Sequence, residues 1–472
     1  MISNTVFDTR FRAALVRMAE RDRLLTCSDT VDPHLELAAI MKKLDGQQAL
    51  YFPRVAGHET PVVGNLMTCQ ENCEAAFGTD FHGIREMIGR ALGAPLPPVL
   101  VDHAPVQEVV VSSDIDLAKH LPILQHAPND AGRYITAGIV VVQDPTTGVY
   151  NASFHRLQLL GPDRLAIKLD YGRHLRLAFE RAKASGQPLP VAVCIGVDLS
   201  LYLTAATMGS QMPESADELA IAGRLSGQPL TVAKAVSLPN LIVPAESEFV
   251  LEGEIHTEEV ALEGPFGEFV GFAAPAADAP VLQVKTLTRR KQPIYHAING
   301  YGRETIGLRK YVLEASLLKA LGPAIPIVTD VEMTAGGLHR FHVVIQVRKT
   351  SPQHDGLQRN AIMAAFGTLK DLDLAIVVDD DIDIHDPLDV EYALATRMEA
   401  SKDIFMIPGA RGHEYVRVSD RGQRTKLGID ATVPFDDRAR FQRVKFADAD
   451  VSKARFSTDT SSLDVLLESR LK

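Results

Sequence analysis

The sequence predicts a multi-domain α/β (α+β) protein, and three observations carry that prediction. The chain has 472 residues, more than a single hydrophobic core normally organises. Short apolar or alternating runs, separated by turn residues, crowd its middle. Its last third instead alternates strand-like with helix-like stretches.

The first segment, "MISNTVFDTRFRAALVRMAERDRLL", is charged throughout and has no uninterrupted apolar core. It reads as an amphipathic helix rather than a signal peptide. "ALYFPRV" (49–55) reads as a strand, and "GIREMIGRAL" (83–92) as a helix that stops before the Pro-rich boundary "APLPPVL". In the middle, "AGIVVVQ" (137–143), "LAIKL" (165–169), "PVAVCIG" (190–196) and "PVLQVKTLT" (280–288) read as strands. Helical patterns at 173–185 and 214–225 interrupt them. Then come a helix at 308–321, the strands "IPIVTDVEM" and "FHVVIQV", a helix at 357–369, the strand "LAIVVD" and a helix at 388–398. The closing "SSLDVLLESRLK" is a short amphipathic helix, suited to packing on a partner subunit or on its own domain.

Composition excludes several functions. A net charge of -11, with no run of five basic residues, opposes binding to nucleic-acid phosphates. The four cysteines, Cys27, Cys69, Cys73 and Cys194, suit buried thiols in a reducing cytoplasm better than a disulfide framework. Cys69 and Cys73 lack the second pair that a zinc site needs. No apolar run reaches the length of a membrane span. Gly-x-Gly-x-x-Gly, Walker, His-Glu-x-x-His and Gly-x-Ser-x-Gly strings are all missing.

Some polar stretches carry chemistry. "DDDIDIHD" (379–386) reads as a solvated turn or helix lead-in more than a cation site, and its Asp381, Ile382, Asp383, Ile384 alternation suits a half-buried strand. In "YNASFHRLQLL", Asn151, Ser153 and His155 face one way along a strand and Arg156 the other. Arg156 is either a surface ion-pair partner or a planar fork for a carboxylate or phosphate. His174 opens a helical pattern, where an anion is favoured, or is simply a half-exposed helix-start histidine. Glu218 lies on a helix capped by Ser215. The loop "SQMPES" before it, with Gln211, Met212 and Pro213, can offer backbone groups to a ligand. "EGPFGEF" sets Glu263 and Glu268 five apart, a spacing that neither helix nor strand brings to one side. Its Pro and Gly residues make it a turn. Either both acids are solvated, or one pairs with an Arg while the other holds a proton.

Taken together, "LPILQHAPNDAGRYITAG", "YNASFHR", "VPAESEFVLEGEI", "EGPFGEFVGF" and "VVDDDIDIHDPLDVEYALATR" resemble the UbiD-type decarboxylases, which use prenylated FMN. The resemblance covers almost the whole chain. It implies an N-terminal α/β region (1–110), a split β-barrel flavin-binding domain (111–305) and a C-terminal α/β oligomerisation domain (306–472). It implies that Asn151, His174 and Glu218 hold Mn2+ or Mg2+ against the flavin phosphate, with K+ nearby. Ser153, His155, Arg156, Arg173, Gln211, Met212, Pro213 and Lys370 would join them as flavin contacts, although the loop before Glu218 is shorter than in ferulic acid decarboxylases. Arg156, Glu263 and Glu268 would be the catalytic trio.

The implied reaction is the reversible, non-oxidative decarboxylation of an unsaturated or (hetero)aromatic carboxylic acid through a covalent substrate–flavin adduct. Glu268 would be the proton donor. The resemblance further implies dependence on a UbiX-type flavin prenyltransferase and assembly as a homodimer or homohexamer. "NGYGRETIGLRK" and "PGARGHEY" would shape the pocket; Arg303 and His413 either contact a polar substituent or serve in packing or at the surface. The competing readings are a conventional FMN-dependent oxidoreductase and a non-catalytic flavin-binding subunit.

Overall fold

The computed structural model describes residues 6–91, 94–170, 173–206, 215–413, 415–418 and 422–448, with 450, 452, 454 and 455. The expected helix at the end of the chain lies outside these residues.

The middle of the chain forms a nine-stranded antiparallel sheet. Its main path runs Tyr134–Ile135, Leu157–Leu159, Arg164–Ile167, Ala277–Arg289, Phe249–Glu263, Leu189–Ile195, Ile139–Gln143, Tyr150–Phe154. That order cannot lie flat. Tyr150–Phe154 and Leu157–Leu159 stand six places apart, about 29 Å at about 4.8 Å per strand. Only His155 and Arg156 join them, and such a link spans about 11 Å at most. The sheet therefore curls until its two edges meet. Its interior holds Leu157, Leu165, Val191, Val193, Leu251 and Leu282, all fully buried.

A four-stranded sheet covers the N-terminal side: Leu24–Thr26, Ala49–Phe52, Val62–Gly64 and Tyr295–His296. Its last strand comes from far along the chain and pairs in parallel with Val62–Gly64, tying that region to the barrel. Three short strands, Val99–Leu100, Thr231–Lys234 and Ile242–Pro244, form a further small sheet.

The last third is the expected strand–helix alternation. Five strands lie in the order Val328–Met333, His342–Val347, Leu374–Asp379, Gln423–Ala431, Ile404–Arg411. His342–Val347 and Leu374–Asp379 are parallel, as the crossover helix Leu357–Thr368 between them requires. The 22-residue helix Arg303–Ala324 leads from the barrel into this sheet.

Three local expectations are corrected. The helix expected from 308 begins at Arg303, because both carboxylate oxygens of Asp45, 3.0 Å away, accept its first backbone N–H. The run Asp379–Asp386 is the expected turn and helix lead-in, with Asp386 capping the helix Pro387–Arg397; only the half-buried strand suggested by its alternation is not formed, although Ile382 and Ile384 are buried. The helix expected over 214–225 is Glu218–Ser226, and Asp217, not Ser215, caps it by accepting from Leu219 N and Ala220 N at 2.9 and 3.2 Å.

Candidate active site

Arg156 sits in the two-residue seam where the barrel edges meet. Opposite it, the strand Phe249–Glu263 ends and the chain reverses into the two-residue strand Phe266–Gly267, which pairs with Ala273–Ala274. Gly264 makes the reversal at φ +89, a conformation that costs glycine little. The Gly264–Pro265 peptide is cis. Neighbouring side chains brace this turn. Gly264 N donates to Gln158 Oε1 at 2.9 Å, and the same oxygen accepts the Tyr134 hydroxyl at 3.0 Å. Gly267 N donates to Asp130 Oδ1 at 3.0 Å, while Asp130 Oδ2 accepts from Ala127 N at 2.8 Å.

The turn brings both acids to one guanidinium. Arg156 donates from Nε and Nη2 to the two oxygens of Glu263 at 2.9 and 2.7 Å, a bidentate pair. Its Nη1 donates to Glu268 Oε1. The Phe266 ring centroid lies 5.2 Å from Arg156 Cζ. The two carboxylates differ in surroundings: the Glu263 side chain is 0% exposed and the Glu268 side chain 17%. Burial pushes the Glu268 carboxyl above the usual carboxylate range, against the pull of Arg156 and with the help of the Asp170 charge. Burial alone would lower Arg156, but the hydrogen bond to Glu263 and the charges of both glutamates raise it, so it stays cationic.

A second cluster lies beside the first. Asn151 Nδ2 donates to Glu218 Oε1 at 2.9 Å, Ala152 N donates to Glu218 Oε2 at 3.3 Å, and His174 Nδ1 lies 3.6 Å from Glu218 Oε1. Burial raises the Glu218 carboxyl. Ser153 Oγ donates to Asn151 Oδ1 at 3.1 Å and also sits 3.1 Å from His155 Nε2. His155 Nδ1 is 2.8 Å from the Lys168 carbonyl, an acceptor, so Nδ1 carries the proton and Nε2 does not. Burial holds that imidazole neutral. Among the described residues no three His, Cys, Asp or Glu side chains form a metal cluster. The donor set around Glu218 therefore depends on an amide, that of Asn151.

A cavity of about 160 Å³ opens against these groups. His155, Arg156, Arg173 and Glu268 line it, as do His413 and Tyr415 of the "PGARGHEY" segment. Other expected residues fall elsewhere. Gln211, Met212 and Pro213 lie outside the described residues. Lys370 is exposed in the turn after Leu357–Thr368 and is not among the residues lining the cavity; its carbonyl accepts from Lys426 Nζ at 2.6 Å and its charge acts on Asp371. Arg303 is exposed at the start of its helix, where its backbone meets Asp45; the arginine of that stretch that reaches the cavity is Arg309. The sequence reading also missed Asp130, Tyr134, Gln158, Lys168, Asp170 and Arg340. Asp130 and Tyr134 stand inside the quoted "LPILQHAPNDAGRYITAG", and that string was the available signal.

Comparison with known proteins shows the family and the fold. Three family models match the chain: the N-terminal domain of 3-octaprenyl-4-hydroxybenzoate carboxy-lyase over 15–92, its Rift-related domain over 99–302 and its C-terminal domain over 307–431. The anhydromevalonate phosphate decarboxylase of Methanosarcina mazei is 36% identical over 435 residues, covering 92% of this chain and 98% of the relative. The UbiD-class enzyme HmfF of Pelotomaculum thermopropionicum, solved in complex with FMN, is 40% identical with a TM-score of 0.88, covering 92% of this chain and 97% of that one. An evolved dimeric form of HmfF, solved with prenylated FMN, is 38% identical with a TM-score of 0.85, covering 93% and 97%.

Proposed function

The chain belongs to the UbiD family of carboxy-lyases, and on that premise we propose that it decarboxylates an unsaturated or (hetero)aromatic carboxylic acid, reversibly and without net oxidation, using prenylated FMN. One observation carries the reading: a single guanidinium held between two carboxylates of unlike exposure at the mouth of a cavity. The Methanosarcina relative is named for a phosphate-bearing substrate, so the acid need not be a plain ring acid.

The donor set at Glu218 fits the cofactor. Ser153 has one hydroxyl proton but two acceptors beside it, Asn151 Oδ1 and His155 Nε2. Asn151, through its amide oxygen, His174 and Glu218 would hold a divalent cation; Asn151 Nδ2 would then be free to donate to Ser153, and the Ser153 hydroxyl proton to go to His155. Mn2+ or Mg2+ suits an amide oxygen, an imidazole and a carboxylate, and such an ion would tie down the flavin phosphate, with K+ as a further occupant. A separate flavin prenyltransferase would supply the modified flavin. A homodimer or homohexamer is the corresponding assembly, read by light scattering.

When bound, the prenylated flavin supplies an electrophilic carbon and a sink for the electron pair left by departing carbon dioxide. The protein's part is positioning and proton transfer. Glu263 fixes Arg156 through two of its nitrogens and leaves Nη1 as the exchangeable donor. A substrate carboxylate would take Nη1 from Glu268, which cedes it readily because burial favours its protonated, neutral form. The carbon–carboxylate bond then breaks, and Glu268 gives its proton to the carbon, forming the new C–H bond. Solvent reaching the cavity restores that proton.

Two measurements follow. His174→Ala is expected to lose most bound flavin on desalting, and chelation is expected to do the same to the wild type; unchanged flavin absorbance in both cases would remove the metal assignment. The pH profile has a definite sign. The Glu268 pKa is raised, so the donor form persists above the ordinary carboxylate value of 4.5, and kcat falls as pH rises through the raised value. Protonation of the substrate sets the acid limb. A kcat that keeps climbing with alkaline pH would contradict Glu268 as donor. The overall reading is tested by carbon dioxide release from a carboxylic-acid panel on cofactor-loaded protein. The mass and spectrum of the bound flavin separate it from an FMN oxidoreductase.

A further inference from the structure

Glu314 is a fully buried acid that the cavity does not use. It lies on the helix Arg303–Ala324, with its side chain 0% exposed. Its Oε1 accepts from Met333 N at 3.0 Å, while Oε2 has no hydrogen-bond partner among the described residues. Lys310 Nζ stands 3.9 Å from Glu314 Oε1 but closer to Glu332 Oε1, at 2.7 Å. Two carboxylates therefore share one lysine. Glu332 also holds His385, whose Nδ1 donates to Glu332 Oε2 at 2.8 Å.

The cluster sits where three parts of the chain meet. The helix Arg303–Ala324 packs against the helix Phe81–Ala91 of the N-terminal region and against Val328–Met333, an edge strand of the C-terminal sheet. The Phe81 ring centroid lies 5.3 Å from Lys310 Nζ, 5.5 Å from the His385 ring and 5.7 Å from the Tyr311 ring. Glu314 is faced by Lys310 and Tyr311 from its own helix, by Glu332 from the strand and by Arg85 from the N-terminal helix. Cys73 and Glu74, on the helix Gln70–Phe77, lie behind Tyr311. His385 is faced by Glu332, by Asp330 at 3.9 Å and by Lys310. Arg85 is bonded to Asp330 at 2.6 Å. Burial lowers His339, whose Nδ1 is 2.6 Å from the Met333 carbonyl, and keeps it neutral. Lys310 and Arg85 thus balance Glu332 and Asp330. An ionised Glu314 adds a third anion, and rising pH can only remove positive charge from His385, never add it.

Burial first, with the Glu332 charge, raises the Glu314 carboxyl to about 8 against the pull of Lys310. The hydrogen bond to Glu332 raises His385 above the usual histidine value of 6.5, against burial. Both act with one sign. A group raised in the packed form favours packing in full below its ordinary value, and that contribution is lost as pH rises through the raised value. For Glu314 the window runs from 4.5 to about 8, and for His385 it opens above 6.5. Burial alone would raise Glu332, but His385 and Lys310 pull it below 4.5, so its contribution is lost only in acid. We infer that this junction is a proton-held latch: the helix Arg303–Ala324 stays docked between the N-terminal helix and the C-terminal sheet while Glu314 and His385 carry protons, and loosens as they lose them. The same helix brings Thr305, Leu308 and Arg309 to the cavity wall, so the latch sets how firmly that wall is held. The latch does not depend on the decarboxylase reading.

The test is hydrogen–deuterium exchange on the full chain, read by mass spectrometry and corrected for the intrinsic pH dependence of exchange. Protection over 303–324 and 328–333 is expected to fall more than about tenfold between about pH 5.5 and about pH 8.5. The barrel strand Leu189–Ile195 should keep its protection over the same range. Glu314→Gln and His385→Gln should each remove part of the fall, and the two together nearly all of it. Glu314→Leu replaces the amide variant if that one does not fold. The infrared difference between wild type and Glu314→Gln should show a protonated carboxyl at about pH 6 and none at about pH 9. Flat protection in the wild type, a double variant that loosens as steeply as wild type, or an ionised carboxylate in the difference spectrum at about pH 6 would each overturn the inference. The wild-type exchange profile needs no variant and can overturn it alone.

Discussion

Glu268→Gln is expected to retain its flavin and to lower carbon dioxide release by about a thousandfold. The substitution keeps the size of the side chain and an oxygen that can accept from Arg156 Nη1, so the turn from Glu263 to Glu268 keeps its shape. What it removes is the transferable proton. Exchange of solvent deuterium into the product carbon should fall with decarboxylation, because both need the same proton shuttle. Two assays check this: carbon dioxide release, and deuterium incorporation followed by NMR. Turnover near the wild-type rate would end the proton-donor assignment, and loss of flavin would show that Glu268 has a structural duty instead.

The second large effect concerns the partner of both acids. Arg156→Met should abolish detectable turnover and cost about 3–5 kcal/mol of stability, because Glu263 is left fully buried without its cation. The two consequences can be separated. Arg156→Met combined with Glu263→Met removes the stranded charge and should recover most of the stability, with no activity. Arg156→Lys keeps the charge but cannot form the bidentate pair, and should remain at least about a hundredfold impaired. Thermal unfolding and carbon dioxide release on the same preparations give both readouts. If the double variant regained turnover along with stability, Arg156 would be a structural residue only.

Which parts of this molecule could be read from its sequence follows from the range of the forces involved. The strand Leu374–Asp379 and the helix Leu357–Thr368 were legible, because burial writes their patterns into adjacent residues. The start of the helix at Arg303 was not, since its cap is Asp45, from a turn 258 residues earlier in the chain. The alternation at Ile382 and Ile384 was read as strand, yet two buried side chains can alternate on a turn as well. Spacing alone marked "EGPFGEF" as a turn, but nothing local shows that Arg156, 107 residues earlier, would meet Glu263 there. Only the family resemblance joined those positions. The stretch "NGYGRETIGLRK" lines the cavity with Gly300, Thr305, Leu308 and Arg309, while the choice within it fell on Arg303. Helical phase and depth favour Arg309, and neither was available before the helix start was known.

The seam at His155 and Arg156 has a consequence for how the protein is made. The strands before and after it are neighbours in the chain, yet the sheet between them needs Phe249–Glu263 and Ala277–Arg289 in place. A nascent chain that has not yet emerged past Arg289 lacks the complete sheet, and one that has not emerged past Glu263 leaves Arg156 with neither Glu263 nor Glu268 to hold it. Contacts across so many residues form late. The ion pairs that hold Arg156 therefore belong to the completed sheet and not to the growing N-terminal half.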